Sequence, residues 1–207
     1  HMRGPRPDHR DALPLMHPGE KLLQRVIGGG RQLHPFHFHG HSARLLARDG
    51  KLLLSPTDAT KLAGTLVFTH PVLPGGTVDA IFTWTGKDLG WDMYGHRGAD
   101  NVACEPLTGF NTIPGSRNYG EWCPDHNKPI PVTLPDANVL TNGMLYSGSP
   151  YLGTMGVLPP GEGGLNPYSG FTYMWHSHTE KELTNNDIFP GGLMTMLIIV
   201  PPYVPID

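Results

Sequence analysis

Glycine and proline leave this chain little room for helix. It carries 27 glycines and 22 prolines in 207 residues. One or the other interrupts most windows in which apolar residues recur at helical spacing. Strand signals are better. Lys21–Ile27 reads as a strand ended by Gly28-Gly29-Gly30, and Phe36–His41 as a second. Ala43–Leu54 reads as a hairpin around Asp49-Gly50, a dipeptide suited to a tight turn between apolar runs. Gly64–Thr69 precedes the turn Leu73-Pro74-Gly75-Gly76, and Thr77–Trp84 sets Val78, Ala80, Phe82 and Trp84 on one face. Phe171–His178 and Leu193–Val200 complete an all-β reading. With 38% hydrophobic residues the chain has enough apolar material for a core.

The texture changes between Gly86 and Gly170, where 85 residues hold 15 glycines and 10 prolines. That is too long for a structureless connection inside a compact domain. The reading is one domain over residues 20–207, with an irregular insertion at about 86–170 that has short strands or turns of its own. A linker between two domains is the alternative. Residues 1–19 read as an N-terminal extension that begins with a tag remnant, His1-Met2.

Other features narrow the function class. A net charge of −3 argues against a nucleic-acid or anionic-membrane partner. The longest apolar run, Leu193–Val200, is broken by Thr195 and falls well short of the ~20 residues of a membrane span. Cys104 and Cys123 are either a single bridge or two free thiols; their turn-rich surroundings favour the bridge. It would close a loop of about 20 residues and stabilise the fold by roughly 3 kcal/mol.

Histidine is the unusual count: 12, against 15 lysines and arginines together. Four fall within His34-Pro35-Phe36-His37-Phe38-His39-Gly40-His41. On a strand His37, His39 and His41 share a face, successive ones about 6.6 Å apart, while Phe36 and Phe38 face a core. Trp175-His176-Ser177-His178 repeats the His-x-His pattern at the end of an aromatic-rich strand. Pairing the two strands would gather His37, His39, His176 and His178 on one surface, and neutral imidazole suits copper, zinc, nickel and iron. His70, His96 and His126 lie at turns and read as ordinary surface residues. Met93, Met144 and Met155 are scattered, while Met174, Met194 and Met196 read as core.

The segment HPFHFHGH resembles the HPxHxHGH motif of the multicopper oxidases, which are built from cupredoxin (plastocyanin-like) domains. WHSHTEKELTNNDIFPGGLMTMLIIVPP is similar to the later family segment, in which His-x-His is followed by a loop, glycines and a last apolar strand. The resemblance covers residues 20–84 and 170–203 and implies a cupredoxin-like Greek-key β-barrel or sandwich. It implies copper as cofactor and half of a trinuclear (type 2/type 3) site that reduces O2. His37 would be the type 2 ligand, with His39, His176 and His178 on the type 3 pair. A second cupredoxin domain, from the parent chain or another subunit, would complete the cluster. The electron donor would be a phenol or a metal ion, and the location the periplasm or cell surface.

The departures from the family pattern are equally informative. Ser177 stands where a type 1 copper site has its cysteine, and Glu182 and Asp187 stand near the positions of its downstream histidine and axial residue. The isolated chain is therefore expected to bind copper with little oxidase activity and no intense blue colour. His34, the first-motif type 1 position, is left without copper-binding partners and reads as structural or supporting. His41 reads as a supporting donor or an additional ligand. Glu180, Glu182 and Asp187 follow the motif closely and read either as a solvated acidic loop or, Glu180 and Glu182 above all, as candidates for relaying the protons that oxygen reduction consumes. The competing readings are a non-catalytic copper carrier, store or structural site, and a zinc site on the same four histidines.

Overall fold

The computed structural model describes residues 14–90, 92, 104–116, 119–128, 148–149, 171–189 and 191–206. His1-Met2, Met93, His96, Met144, Met155 and most of the expected insertion lie outside the described residues. Among the described residues there is no α-helix, and the strands belong to two sheets. They are β1 (Leu15–Met16), β2 (Lys21–Ile27), β3 (His34–Phe38), β4 (Ala43–Arg48), β5 (Lys51–Leu52) and β6 (Leu66–Val67). There follow β7 (Thr69–Val72), β8 (Thr77–Thr83), β9 (Gly148–Ser149), β10 (Phe171–Ser177) and β11 (Met194–Ile199). The all-β expectation holds. No helix among these residues is long and apolar enough to cross a membrane.

The chain divides into two compact units. The first contains Lys21–Thr83 and Met174–Thr195. Its five-stranded sheet runs β2-β8-β4-β5, with β6 also on β4. Strict alternation on β8 buries Val78, Ala80 and Phe82, and on β4 it buries Ala43, Leu45 and Ala47. The expected hairpin forms at Asp49-Gly50, where both residues have positive φ (48° and 73°), as a two-residue turn matched to strand twist requires. In the other sheet, β3 lies antiparallel between β7 and the end of β10. Phe38 and Phe82, both fully buried, and Trp175 form the aromatic centre of this unit, with ring centroids 5.5–6.1 Å apart.

The second unit contains Leu13–Glu20, Trp84–Tyr173 and Met196–Asp207. Within it β1 runs parallel to the end of β11, pairing Leu15 with Ile198, and β9 pairs with the start of β10. The Trp84 indole N–H donates to the hydroxyl of Tyr173, and both side chains are fully buried. Cys104 and Cys123 are bridged, with Cα atoms 6.0 Å apart, as the favoured alternative had it.

Several boundaries and environments differ from expectation. The strand expected at Phe36–His41 begins at His34 and ends at Phe38, because Gly40 takes φ 104° and turns the chain. His41 therefore lies beyond the strand rather than in register with His37. The expected strand Gly64–Thr69 is split between β6 and β7. His70 is not a surface residue: it is buried on β7 against Phe36 and Phe38, with Nε2 3.0 Å from Gln24 Oε1. The His126 side chain is likewise buried, its ring 3.4 Å from the Glu121 carboxylate. In both cases adjacent turn residues disguised a position that the tertiary packing encloses. Of the three methionines read as core, Met194 is buried, whereas Met174 and Met196 are only half-buried.

Candidate metal centre

The two His-x-His segments meet on neighbouring antiparallel strands. Trp175, His176 and Ser177 of β10 stand opposite Phe38, His37 and Phe36 of β3, which sets the His37 and His176 side chains abreast. The ladder continues past the strand ends. The His39 amide donates to the Met174 carbonyl at 3.1 Å, and the His178 amide to that of Pro35 at 2.8 Å. Four imidazoles thus converge. The His37 ring centroid lies 5.1 Å from that of His39, 5.2 Å from His176 and 4.8 Å from His178. One ligand nitrogen each from His37, His39 and His176 falls within 4.8 Å of the other two. His37 and His176 are buried, His39 is half-buried and His178 is exposed, so the cluster opens to solvent on the His178 side.

A hydrogen bond fixes which nitrogen of His176 keeps its lone pair. His176 Nδ1 sits 2.7 Å from the Ser177 carbonyl, which can only accept. Nδ1 therefore carries the proton, and Nε2 of the neutral ring keeps its lone pair. That Nε2 lies 3.2 Å from His39 Nε2, so two imidazole nitrogens point at a common space. His37 Nδ1 is engaged 2.8 Å from Thr69 Oγ1, and the ring also bonds the Phe68 backbone. Outer hydrogen bonds of this kind orient metal-binding histidines.

Electrostatics keep His37 uncharged. Burial lowers the His37 pKa to about 4, assisted by repulsion from His39, His176 and His178 and opposed by a hydrogen bond to the Phe68 backbone. At neutral pH the ring is uncharged, as a metal ligand must be. Converging imidazoles fit a borderline first-row metal and offer no oxygen donors of the kind calcium or magnesium would need.

The remaining candidates take other positions. Side chains on β10 alternate, so Ser177 projects to the opposite side from His176 and His178, where it meets Glu182. The Ser177 hydroxyl donates to Glu182 Oε2, and His34 Nδ1 lies 3.0 Å from the same oxygen. Burial pushes the Glu182 carboxyl up, but the bonds from Ser177 and His34 and the His34 charge outweigh it and hold the carboxyl below its usual range. Glu180 is exposed in a short 3-10 turn, and Asp187 is exposed beside Lys181. His41 is half-buried, with a buried Nδ1 that has no hydrogen-bond partner, and burial lowers its pKa. Sequence reading missed Thr69, the outer partner of His37. It becomes identifiable only once β3 and β7 are known to pair His37 with Thr69.

No protein-family model and no curated protein matches the chain. Among solved structures it is similar to a blue copper oxidase from Nitrosomonas europaea (16% identity, TM-score 0.41, 91% of this chain and 31% of that one). It is also similar to the multicopper oxidase mgLAC (16% identity, TM-score 0.42, 96% of this chain and 34% of that one). A multi-copper oxidase from Pediococcus acidilactici is a third neighbour (13% identity, TM-score 0.41, 97% of this chain and 23% of that one). The chain spans about a third or less of the length of these neighbours. With TM-scores below 0.5, the site rests on its own side chains alone.

Proposed function

We propose that the chain is a copper-binding, cupredoxin-like domain of a multicopper oxidase, with His37, His39, His176 and His178 as its copper ligands. The observation that carries this reading is the His37–His176 register, which gathers two sequence-distant His-x-His segments into one cluster. Imidazoles from two strands match what copper takes as ligands, and the two motifs are those of the resembled family. Bound copper would supply the reduction of O2 coupled to one-electron oxidation of a phenolic or metal-ion donor.

The chain's own residues have distinct tasks. The Ser177 carbonyl holds His176 so that it offers a defined nitrogen, and Thr69 orients the His37 ring. His178 is exposed, and on this reading a second cupredoxin domain would complete a trinuclear site. With an alcohol at Ser177 in place of a thiolate, electrons would enter from a type 1 copper elsewhere in the assembly. The family resemblance also carries export to the periplasm or cell surface as an expectation.

Copper stoichiometry and oxygen uptake test the reading. Assembled with its partner domain, the cluster should hold about three coppers per pair of halves and consume O2 in the presence of a reductant. One copper per chain with no oxygen uptake in that assembly would instead favour a carrier or storage module. Zinc outcompeting copper would contradict both.

A further inference from the structure

Behind the two ligand-bearing strands, on the face away from the imidazoles, one carboxylate oxygen joins them. Glu182 Oε2 takes the hydroxyl proton of Ser177 and stands 3.0 Å from His34 Nδ1. Ser177 is the residue between His176 and His178, so any displacement of its backbone moves both ligands. His34 opens β3, the strand that carries His37.

Glu182 itself is firmly placed. Its amide donates to the Thr179 carbonyl at 2.8 Å, and its carbonyl accepts from the Leu193 amide at 2.8 Å. A Cβ on Gly192, which has φ 64°, would lie 2.1 Å from the Glu182 carbonyl oxygen, so only glycine lets the chain pass so close. The Ser177 hydroxyl also accepts from the Thr179 amide at 3.2 Å, closing a small ring of bonds around the turn after β10. Ser177 is buried, at 3% exposure, and without Glu182 its hydroxyl would lose its acceptor.

We propose that Glu182 is a positioning residue of the metal centre, whose carboxylate ties the end of β10 to the start of β3 and so fixes the spacing of the histidines on the opposite face. This rests on the copper reading of the four histidines. It assigns Glu182 a role in holding geometry, where the sequence had offered it as a proton relay.

The test compares Glu182→Ala, Glu182→Gln and Ser177→Ala in the full chain. Three quantities are read: Cu(II) affinity by chelator competition, the Cu(II) electron paramagnetic resonance spectrum, and the unfolding temperature of the metal-free protein. Outer-shell partners of metal ligands typically account for about tenfold or more in affinity. Glu182→Ala should therefore weaken copper binding by about tenfold or more and alter the spectrum. Glu182→Gln, whose amide oxygen can accept both bonds, should restore both readouts, and Ser177→Ala should fall between.

Glu182→Ala with wild-type affinity and spectrum would overturn the inference while leaving the copper reading standing, as would a change in unfolding temperature alone. Glu182→Gln as weak as the alanine variant would also overturn it. Wild-type protein that binds no copper would overturn the copper reading and, with it, this inference. If Glu182→Ala does not fold, Ser177→Ala decides: unchanged copper parameters there contradict the tie.

Discussion

At the scale of single residues, the histidines of this chain divide by environment. His37 and His70 are both buried with pKa values lowered to about 4, chiefly by loss of hydration. His37 faces three other imidazoles, whereas His70 lies against Phe36 and Phe38 with Arg48 adding to its depression. Between about pH 6.5 and 4 the unfolded chain takes up protons at these positions and the native protein does not. Stability from these two groups is therefore complete above the ordinary histidine value and falls as the pH drops through that window. Glu182 acts in a lower window. Its carboxyl is held below the ordinary glutamate range, so its contribution is present above that range and is lost as pH falls through the lower native value. Thermal unfolding of metal-free protein should show a falling midpoint from pH 6.5 to 4, and His70→Gln should make the fall shallower. An unchanged slope in that variant would contradict the buried neutral assignment.

At the scale of elements, glycine does two different jobs. Gly50 occupies a turn position with φ 73°, and a Cβ there would meet no atom within 4 Å. Gly50→Ala should therefore cost only the left-handed backbone strain, about 1 kcal/mol. A Cβ on Gly64 would sit 1.8 Å from the Leu45 carbonyl oxygen, so Gly64→Ala must push β4 away and should cost clearly more. Urea unfolding of the two variants checks the order, and equal losses would contradict it.

The same contrast between local and distant contacts explains what was legible in the sequence. Strands such as β2 and β8 were readable because alternation and turn dipeptides are local properties of the chain. β1 was not, since two residues carry no period and its partner Ile198 is distant in sequence. The two His-x-His segments were legible as a candidate metal centre because each is a local pattern. The ties to Thr69 and Glu182 were not, because they depend on which strands become neighbours and where the turn after β10 returns.

At the scale of the whole molecule, each unit has its own means of stabilisation. The unit holding the histidine cluster relies on an aromatic core at Phe38, Phe82 and Trp175. The unit containing Cys104 and Cys123 adds a covalent loop spanning 19 residues of sequence separation. Reducing that bridge should lower stability by roughly 3 kcal/mol. Denaturant unfolding with and without reductant measures this, and coincident curves would contradict a stabilising bridge.

Whether the four histidines hold copper is decided by a Cu(II) titration of wild-type, His37→Ala and His176→Ala protein. Electron paramagnetic resonance would follow the ligand set, and visible absorption would report any thiolate band. The wild type should give a copper signal with imidazole nitrogen couplings and no intense thiolate band, and each variant should lose at least about tenfold in affinity. Wild-type affinity and spectra in both variants, or an intense thiolate band in the native chain, would contradict copper binding by these histidines.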